Sequence, residues 1–326
     1  MRPLAVGALA LLLGGAAAPG SGIRVPRGFR VSVIASGLTH PTALVRGPGG
    51  RLYATEDVGR LVEISAGRPR VVARGLRTPL GVVFRGRTAI VSESGRLERL
   101  RIVRGRVLER RVLVSGLPYG RHQQDNLVVG RDHRLYFGSG STCDVCRERD
   151  PRSATILSAR LDGSDVRIVA RGLRNPFGLA FEPGTTRLYA SVNGQDGLGR
   201  NEPAETVVRV RRGANYGWPR CWPSYRRRRL VGSCRGVARP HAYLEPHSSA
   251  DGIAFWHGHL YVAEWGQYDS AEHGRRVVRL ALRRGGGLGP VGTFADGFEH
   301  PLALLPAGRA LLVADWGRGV VYRIAR

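Results

Sequence analysis

The sequence predicts an all-β fold, a single six-bladed β-propeller closed by an N-terminal strand, and three observations predict it. A degraded repeat recurs along almost the whole chain. Its period is close to the roughly 40 to 50 residues of a propeller blade, with several short strands per unit. The composition, with 46 Gly and 19 Pro among many Val and Leu, carries no long helical period.

The cleanest copy is residues 172–190, GLRNPFGLAFEPGTTRLYA. Each copy opens on Gly-Leu-x-x-Pro, runs through a short apolar stretch, turns on Gly or Pro and re-enters an alternating strand, which is one antiparallel hairpin. Copies begin at Gly37, Gly75, Gly116, Gly172, near His247 and at Gly297. The first four starts are 38, 41 and 56 residues apart, so insertions grow toward the middle of the chain. Loops on a rigid scaffold are where binding and catalysis sit, which makes the long loops after blades three and four the first place to look.

Residues 1–22 join Arg2, an apolar run over 4–13 and a small-residue tail, the pattern of a secretory signal peptide. The run is shorter than the roughly 20 residues of a spanning helix, so no stable membrane insertion is expected. Export to the periplasm or the extracellular space follows, with one propeller domain over 23–326. Residues 29–35, FRVSVIA, precede the first full copy and alternate; they are expected to pair with 320–324, VVYRI, and close the ring.

The formal charge is +26, and all 51 basic residues are Arg. A basic surface favours anionic partners in general. The arginines are dispersed over all blades, however, and no nucleic-acid motif accompanies them, so nucleic acid is not an expected partner. The dense run over 226–229 reads as a solvated loop. Four cysteines in an exported chain allow three pairings. The expectation is two local disulfides, Cys143 with Cys146 and Cys221 with Cys234; a four-thiolate zinc site would need a second C-x-x-C.

At the end of the second strand of each copy stand Glu56, Glu93, Ser139, Val192, Glu264 and Asp315. The acids could form a partial ring with a cation site at the channel. The plainer reading is local neutralisation, because Arg60, Arg96 and Arg318 follow in the next turns and buried charges are normally paired. His122 is the more pointed residue. It lies in an all-polar break, Gly120-Arg121-His122-Gln123-Gln124-Asp125-Asn126, where copy three loses its Pro, and a neutral imidazole suits the base role in oxidising an alcohol or hemiacetal.

At these residues the chain resembles the soluble quinoprotein glucose/sorbosone dehydrogenases, nearest the sorbosone dehydrogenase-like branch. The matching passages are His122 with LVVGRDHRLYFGSGSTCDVC, then GLRNPFGLAFEPGTTRLYASVNGQDGLG, GANYGWPRCW over 213–222, and the final GRALLVADWGRGVVYRI. The resemblance implies a six-bladed propeller carrying pyrroloquinoline quinone (PQQ) and Ca2+, which oxidises an aldose or related sugar by hydride transfer and passes electrons to an external acceptor, a quinone or a cytochrome. It implies His122 as general base, Arg174 and Asn175 on the cofactor's quinone edge, the carbonyls of Gly194 and Gln195 on the catalytic calcium, and Tyr216 near a second, structural calcium. A guanidinium at Arg174 suits charge developing on quinone oxygens, since it does not lose its proton.

The chain also departs from that pattern. Arg121 replaces an acidic residue before the histidine, no lysine exists to bind the cofactor, and Phe298-Glu299-His300-Pro301 stands where an arginine pair is usual. An early glutamine contact is missing near 77–80. Arg275 or Arg276 is the expected substitute cation. Two other readings accompany this one: a catalytically inactive propeller that binds a glycan or a protein, and a metal-dependent lactonase-like hydrolase using the acid ring.

Overall fold

Six four-stranded antiparallel sheets surround one axis, and the innermost strand of each touches its neighbour on either side around a closed ring. This is a computed structural model and describes residues 22–326, so the expected leader lies outside the described residues but for Gly22. Within them the regular structure is β, apart from two three-residue 3-10 turns. The inner strands are Pro41–Arg46, Gly81–Arg85, Gln124–Val129, Leu179–Phe181, Ala250–Trp256 and Pro301–Ala307, one for each copy of the repeat. The all-β propeller expected from the repeat is thus the observed fold.

Alternation along these strands places one set of side chains between neighbouring blades. Leu44, Leu52, Ala54 and Val62 of blade one pack with Leu312, Ala314 and Val321 of blade six, and each further interface carries its own cluster of this kind. Near the axis the inner strands come close enough to require small residues. A Cβ at Gly178 would lie 2.2 Å from the carbonyl oxygen of Asp251, and one at Gly252 would lie 2.2 Å from that of Leu302. Just before this point four inner strands carry a bulge at the same height, between Pro41 and Ala43, Gln124 and Leu127, Ala250 and Ile253, and Pro301 and Ala303. Bulges of this kind redirect a side chain, here toward the axis.

The acids at the ends of the second strands are fully buried. Glu56 accepts from Arg60 at 2.6 Å and Glu93 from Arg96 at 2.8 Å, as local neutralisation requires. Glu264 is paired with Arg276, from the adjoining strand, and Asp315 takes the main-chain N–H groups of Glu299 and His300. They hold the entering loops in place and do not form an open ring.

Blades three and four carry the enlarged connections. Both expected disulfides are present, Cys143–Cys146 in the first and Cys221–Cys234 in the second. The second joins a small hairpin, Cys221–Ser224 with Arg229–Gly232, to the loop that follows it. A cross-link closing a loop of about 15 residues contributes about 3 kcal/mol in the chain-entropy account.

Closure follows the expected strand and extends it by a residue at the C-terminal side. Arg30–Ala35 pairs with Val320–Ala325 as the outer strand of blade six. Upstream, Arg24 exchanges main-chain hydrogen bonds with Asp296 of blade five, and the Phe29 ring meets Phe294 edge-on at 5.1 Å. Deleting residues 23–36 removes the clasp and leaves Val320–Ala325 as an open edge. The expected result is loss of a single cooperative thermal transition together with aggregation, measured by calorimetry and size-exclusion chromatography.

Candidate functional site

Above the bulges the entering loops widen into a cavity of about 580 Å³ at the mouth of the axis. Its floor is apolar: Phe177, Trp265 and Leu302, with Leu80 and Trp316 packed against them. Trp265 lies stacked on His300 at 3.9 Å and meets Trp316 edge-on at 5.4 Å. His300 Nδ1 donates to the Trp265 carbonyl at 3.0 Å, so the imidazole props the indole. Trp316 in turn stacks on His40 at 3.8 Å and donates its indole N–H to Asp57 at 2.9 Å.

His122 lies on the wall. Its Nδ1 is 3.1 Å from the carbonyl oxygen of Ser141 and 3.0 Å from the Ser141 hydroxyl. A carbonyl only accepts, so Nδ1 carries the proton and Nε2 keeps its lone pair. The Ser141 hydroxyl donates onward to the Cys143 carbonyl, tying the ring to the disulfide loop. Burial, and after it the charge of Arg174, hold the His122 pKa down at about 3. Gly140 is what lets the wall form: a Cβ there would lie 2.4 Å from the His122 Cβ and 2.8 Å from Asn175 Oδ1.

Arg174 is buried beside it, and its guanidinium bonds the Asp144 carboxylate at 2.6 Å and Asp196 at 3.3 Å. Burial opposes the Asp144 charge, yet the Asp196 N–H and Arg174 together hold its carboxyl below the usual range. Arg121 is ion-paired with Asp196 as well. Asn175 sits next to Arg174 with its Oδ1 buried and unpartnered. Its carbonyl accepts from Asn193 N–H at 3.0 Å, and that bridge brings the start of the fourth inner strand and the end of its neighbour to one place.

Next along from Asn193 the N–H of Gly194 donates to Glu205 at 2.5 Å, and burial pushes the Glu205 carboxyl up to about 8. Gln195 lines a smaller neighbouring cavity with an unpartnered buried Oε1. Tyr216 lies in the core of blade four behind it, its hydroxyl donating to the Arg209 carbonyl at 2.6 Å. The structure therefore brings His122, Arg174, Asn175 and Gly194 to one cavity and places Gln195 and Tyr216 behind its wall.

The expectation for Arg275 and Arg276 is corrected. Neither lines the cavity; Arg276 is spent on Glu264 and Glu245, and Arg275 donates to the Gln267 carbonyl. Sequence reasoning also missed the aromatic floor, Glu205, Asp144 and Asp57. A signal for the floor existed, since Trp265 and Trp316 each follow the strand-end acid, in A-E-W-G and A-D-W-G.

A sequence model of the family described as Glucose / Sorbosone dehydrogenase matches residues 38–285. An uncharacterised protein of Borreliella burgdorferi is 24% identical over 203 residues, which are 57% of this chain and 53% of that protein. The chain thus spans about half the length of that curated relative. Among solved structures, the PQQ domain of pyranose dehydrogenase from Coprinopsis cinerea, in its holo form, aligns at 20% identity and a TM-score of 0.81 over 93% of this chain and 97% of that one. The PQQ-bound aldose sugar dehydrogenase of Streptomyces coelicolor aligns at 22% and 0.75 over 93% and 99%. A putative oxidoreductase (glucose dehydrogenase) of Thermus thermophilus aligns at 25% and 0.76 over 91% and 100%.

The depressed pKa of His122 has a consequence for acid stability. A group whose folded pKa lies below its unfolded value of about 6.5 contributes stability that is complete above that value and is lost as pH falls toward about 3. His122→Gln should therefore unfold at lower pH than wild type. In wild type the imidazole proton resonances followed by NMR should show no titration between pH 7 and pH 5.

Proposed function

The chain belongs to the glucose/sorbosone dehydrogenase family, and from that premise we propose that it oxidises an aldose or related sugar with PQQ and Ca2+ as cofactors, handing the electrons to an external quinone or cytochrome. The observation that carries the reading is the His122 imidazole, its Nδ1 fixed as donor by Ser141 and its Nε2 left as acceptor in a cavity floored by aromatic rings. Two disulfides fit an oxidising compartment, periplasmic or extracellular. No helix among the described residues is long and apolar enough to cross a membrane.

The residues present fit both groups. A planar tricarboxylate finds an apolar floor and two arginines at one edge, and the Asn175 carboxamide beside them, its Oδ1 without a partner, could turn over to present its NH2. A hard cation finds oxygen donors close by on the same blade, in the main chain at Gly194 and Gln195 and the Glu205 carboxylate. Cations are few: Arg121 and Arg174 are the only arginines lining the cavity among the described residues, and both are shared with acids. Calcium would supply the missing charge as well as its Lewis acidity.

When bound, the quinone accepts the hydride from the sugar C1. The protein's part is positional. His122 Nε2 takes the proton of the C1 hydroxyl, so that an aldose leaves as its lactone with proton and hydride both accounted for. The neutral ring at neutral pH is the required starting state, and the anionic cofactor beside it opposes the depression caused by Arg174. Arg174 stays charged and faces negative charge as it develops, with Asp144 fixing its plane. The aromatic side chains around the cavity exclude water from the reacting carbon.

The strand-end acids on which the lactonase-like reading drew are buried and paired or hydrogen-bonded. The test is dye reduction by purified protein with PQQ, calcium and a panel of aldoses. His122→Ala should lower turnover by a factor of roughly 10² to 10⁴ with PQQ binding retained, the usual worth of a positioned base. Arg174→Ala should weaken PQQ binding and turnover together. Equal turnover in wild type and His122→Ala would remove the base assignment, and wild type that binds no PQQ in calorimetry would favour the glycan- or protein-binding propeller.

A further inference from the structure

The repeat puts six residues at one height on the inner strands: Thr42, Leu80, Asp125, Phe177, Asp251 and Leu302. In four copies this residue follows a proline, at Pro41, Pro79, Pro176 and Pro301, and is Thr or apolar. In the two copies without that proline it is aspartate. Both aspartates are buried, 1% and 4% exposed, and they flank blade four from either side. Asp125 sits against Gly138, where a Cβ would lie 3.3 Å from its own Cβ and 2.1 Å from the Pro176 carbonyl; Asp251 accepts from Asn193 Nδ2 at 3.0 Å.

Every other carboxylate buried among the described residues receives an arginine or a main-chain N–H, as Glu56, Glu93, Glu264 and Asp315 illustrate. Asp125 and Asp251 receive neither. Asp125 Oδ2 has no partner at all, and Asp251 has only the Asn193 amide and, at 3.4 Å or more, the Ser249 hydroxyl. Asn193, 8% exposed, presents a second orphan in its Oδ1. A chain with 51 basic residues, all arginine, has placed none of them here. Two buried carboxylates without a counter-ion are costly, since charges that leave water must be paired, bound to metal or protonated.

We propose that Asp125 and Asp251, with the Asn193 carboxamide oxygen, hold a divalent cation of the calcium type at the head of the axial channel. The donors are all hard oxygens, which selects calcium or magnesium over zinc or copper. Turning the Asn193 carboxamide over exchanges its N and O and brings Oδ1 to the place where Nδ2 now meets Asp251. Without a cation, burial and the charge of Asp251 raise the Asp125 pKa well above the ordinary range, and burial lifts Asp251 to about 7. The donors of this site are side chains, other than the main-chain oxygens of Gly194 and Gln195, although Asn193 and Asp251 line the same cavity as Gly194, and it does not depend on sugar oxidation. Its physical role is to tie blades three and five together across blade four, at the level of the cavity floor.

The experiment uses full-length, calcium-stripped protein with PQQ absent from every arm, so that failure here leaves the dehydrogenase reading untouched. Calcium is titrated by calorimetry, and Tb3+ luminescence is excited through the tryptophans. Wild type should bind calcium with a site that Asp125→Asn weakens at least 100-fold and that Asp125→Asn/Asp251→Asn lacks. In EDTA the double variant should melt no lower than wild type, because the repulsion is gone, and calcium should raise Tm in wild type alone; this separates loss of a site from loss of the fold. A double variant that keeps wild-type calcium affinity and stoichiometry, whether or not Glu205→Gln abolishes binding, overturns the proposal. So does wild type that binds no calcium, which would show that the pair is held protonated.

Discussion

The inner strands of six sheets approach one axis because five of the six residues at the point of closest approach are Gly or Ala. Gly178 and Gly252 meet the neighbouring main chain at distances that no Cβ tolerates, and Ala43, Gly81 and Ala303 hold the same place in three other blades, with Asn126 of blade three as the exception. Crowding at that height leaves the residue just before it as the one able to face the axis. It also forces the bulges there, and the chain entering above them swings outward. The cavity and its floor are consequences of this packing problem, with the apolar residues Leu80, Phe177 and Leu302 doing the sealing.

Above the floor the organising group is Asp144. Its carboxylate takes Arg174 and the Asp196 N–H, and its carbonyl takes the Trp218 indole and Arg174 Nε, so that loops of blades three and four are fixed to one another. The Cys143–Cys146 bridge holds the loop that carries it, and the Cys143 carbonyl receives the hydroxyl that also accepts from His122. His122, Arg174 and the disulfide loop are thus one hydrogen-bonded unit. Charge of one sign is abundant in this chain, and the few acids decide where it is oriented.

The repeat made the blade count, the inner strands and the closing strand legible, because each depends on local pattern and on turn residues. The two disulfides were legible for the same reason, short spacing in enlarged loops. His122, Arg174, Asn175 and Gly194 were found through motif resemblance, and the structure places them around one cavity. What escaped was whatever depends on contacts between blades. Trp265, Trp316 and His300 come from blades five and six, and their stacking has no signature in any single copy. Arg275 and Arg276 looked available because the sequence does not show that Glu245 and Glu264 already hold Arg276. Asp125 was visible as part of a polar break, but its equivalence to Asp251 appears only once the bulges align the two strands.

The closing sheet has its first strand at residues 30–35 and its partner at 320–325, so the ring is completed by a pairing between the two ends of the described chain. Five blades are local in sequence and the sixth is not. Loop-closure entropy grows slowly with length, but the pairing forms only after both ends exist, and long-range strand pairing slows folding. Residues 30–35 have no partner in blade six until residues 320–325 are made, and until then the chain is an open arc with two bare edges. Such an arc leaves strand edges open to wrong pairing, and the finished ring covers them.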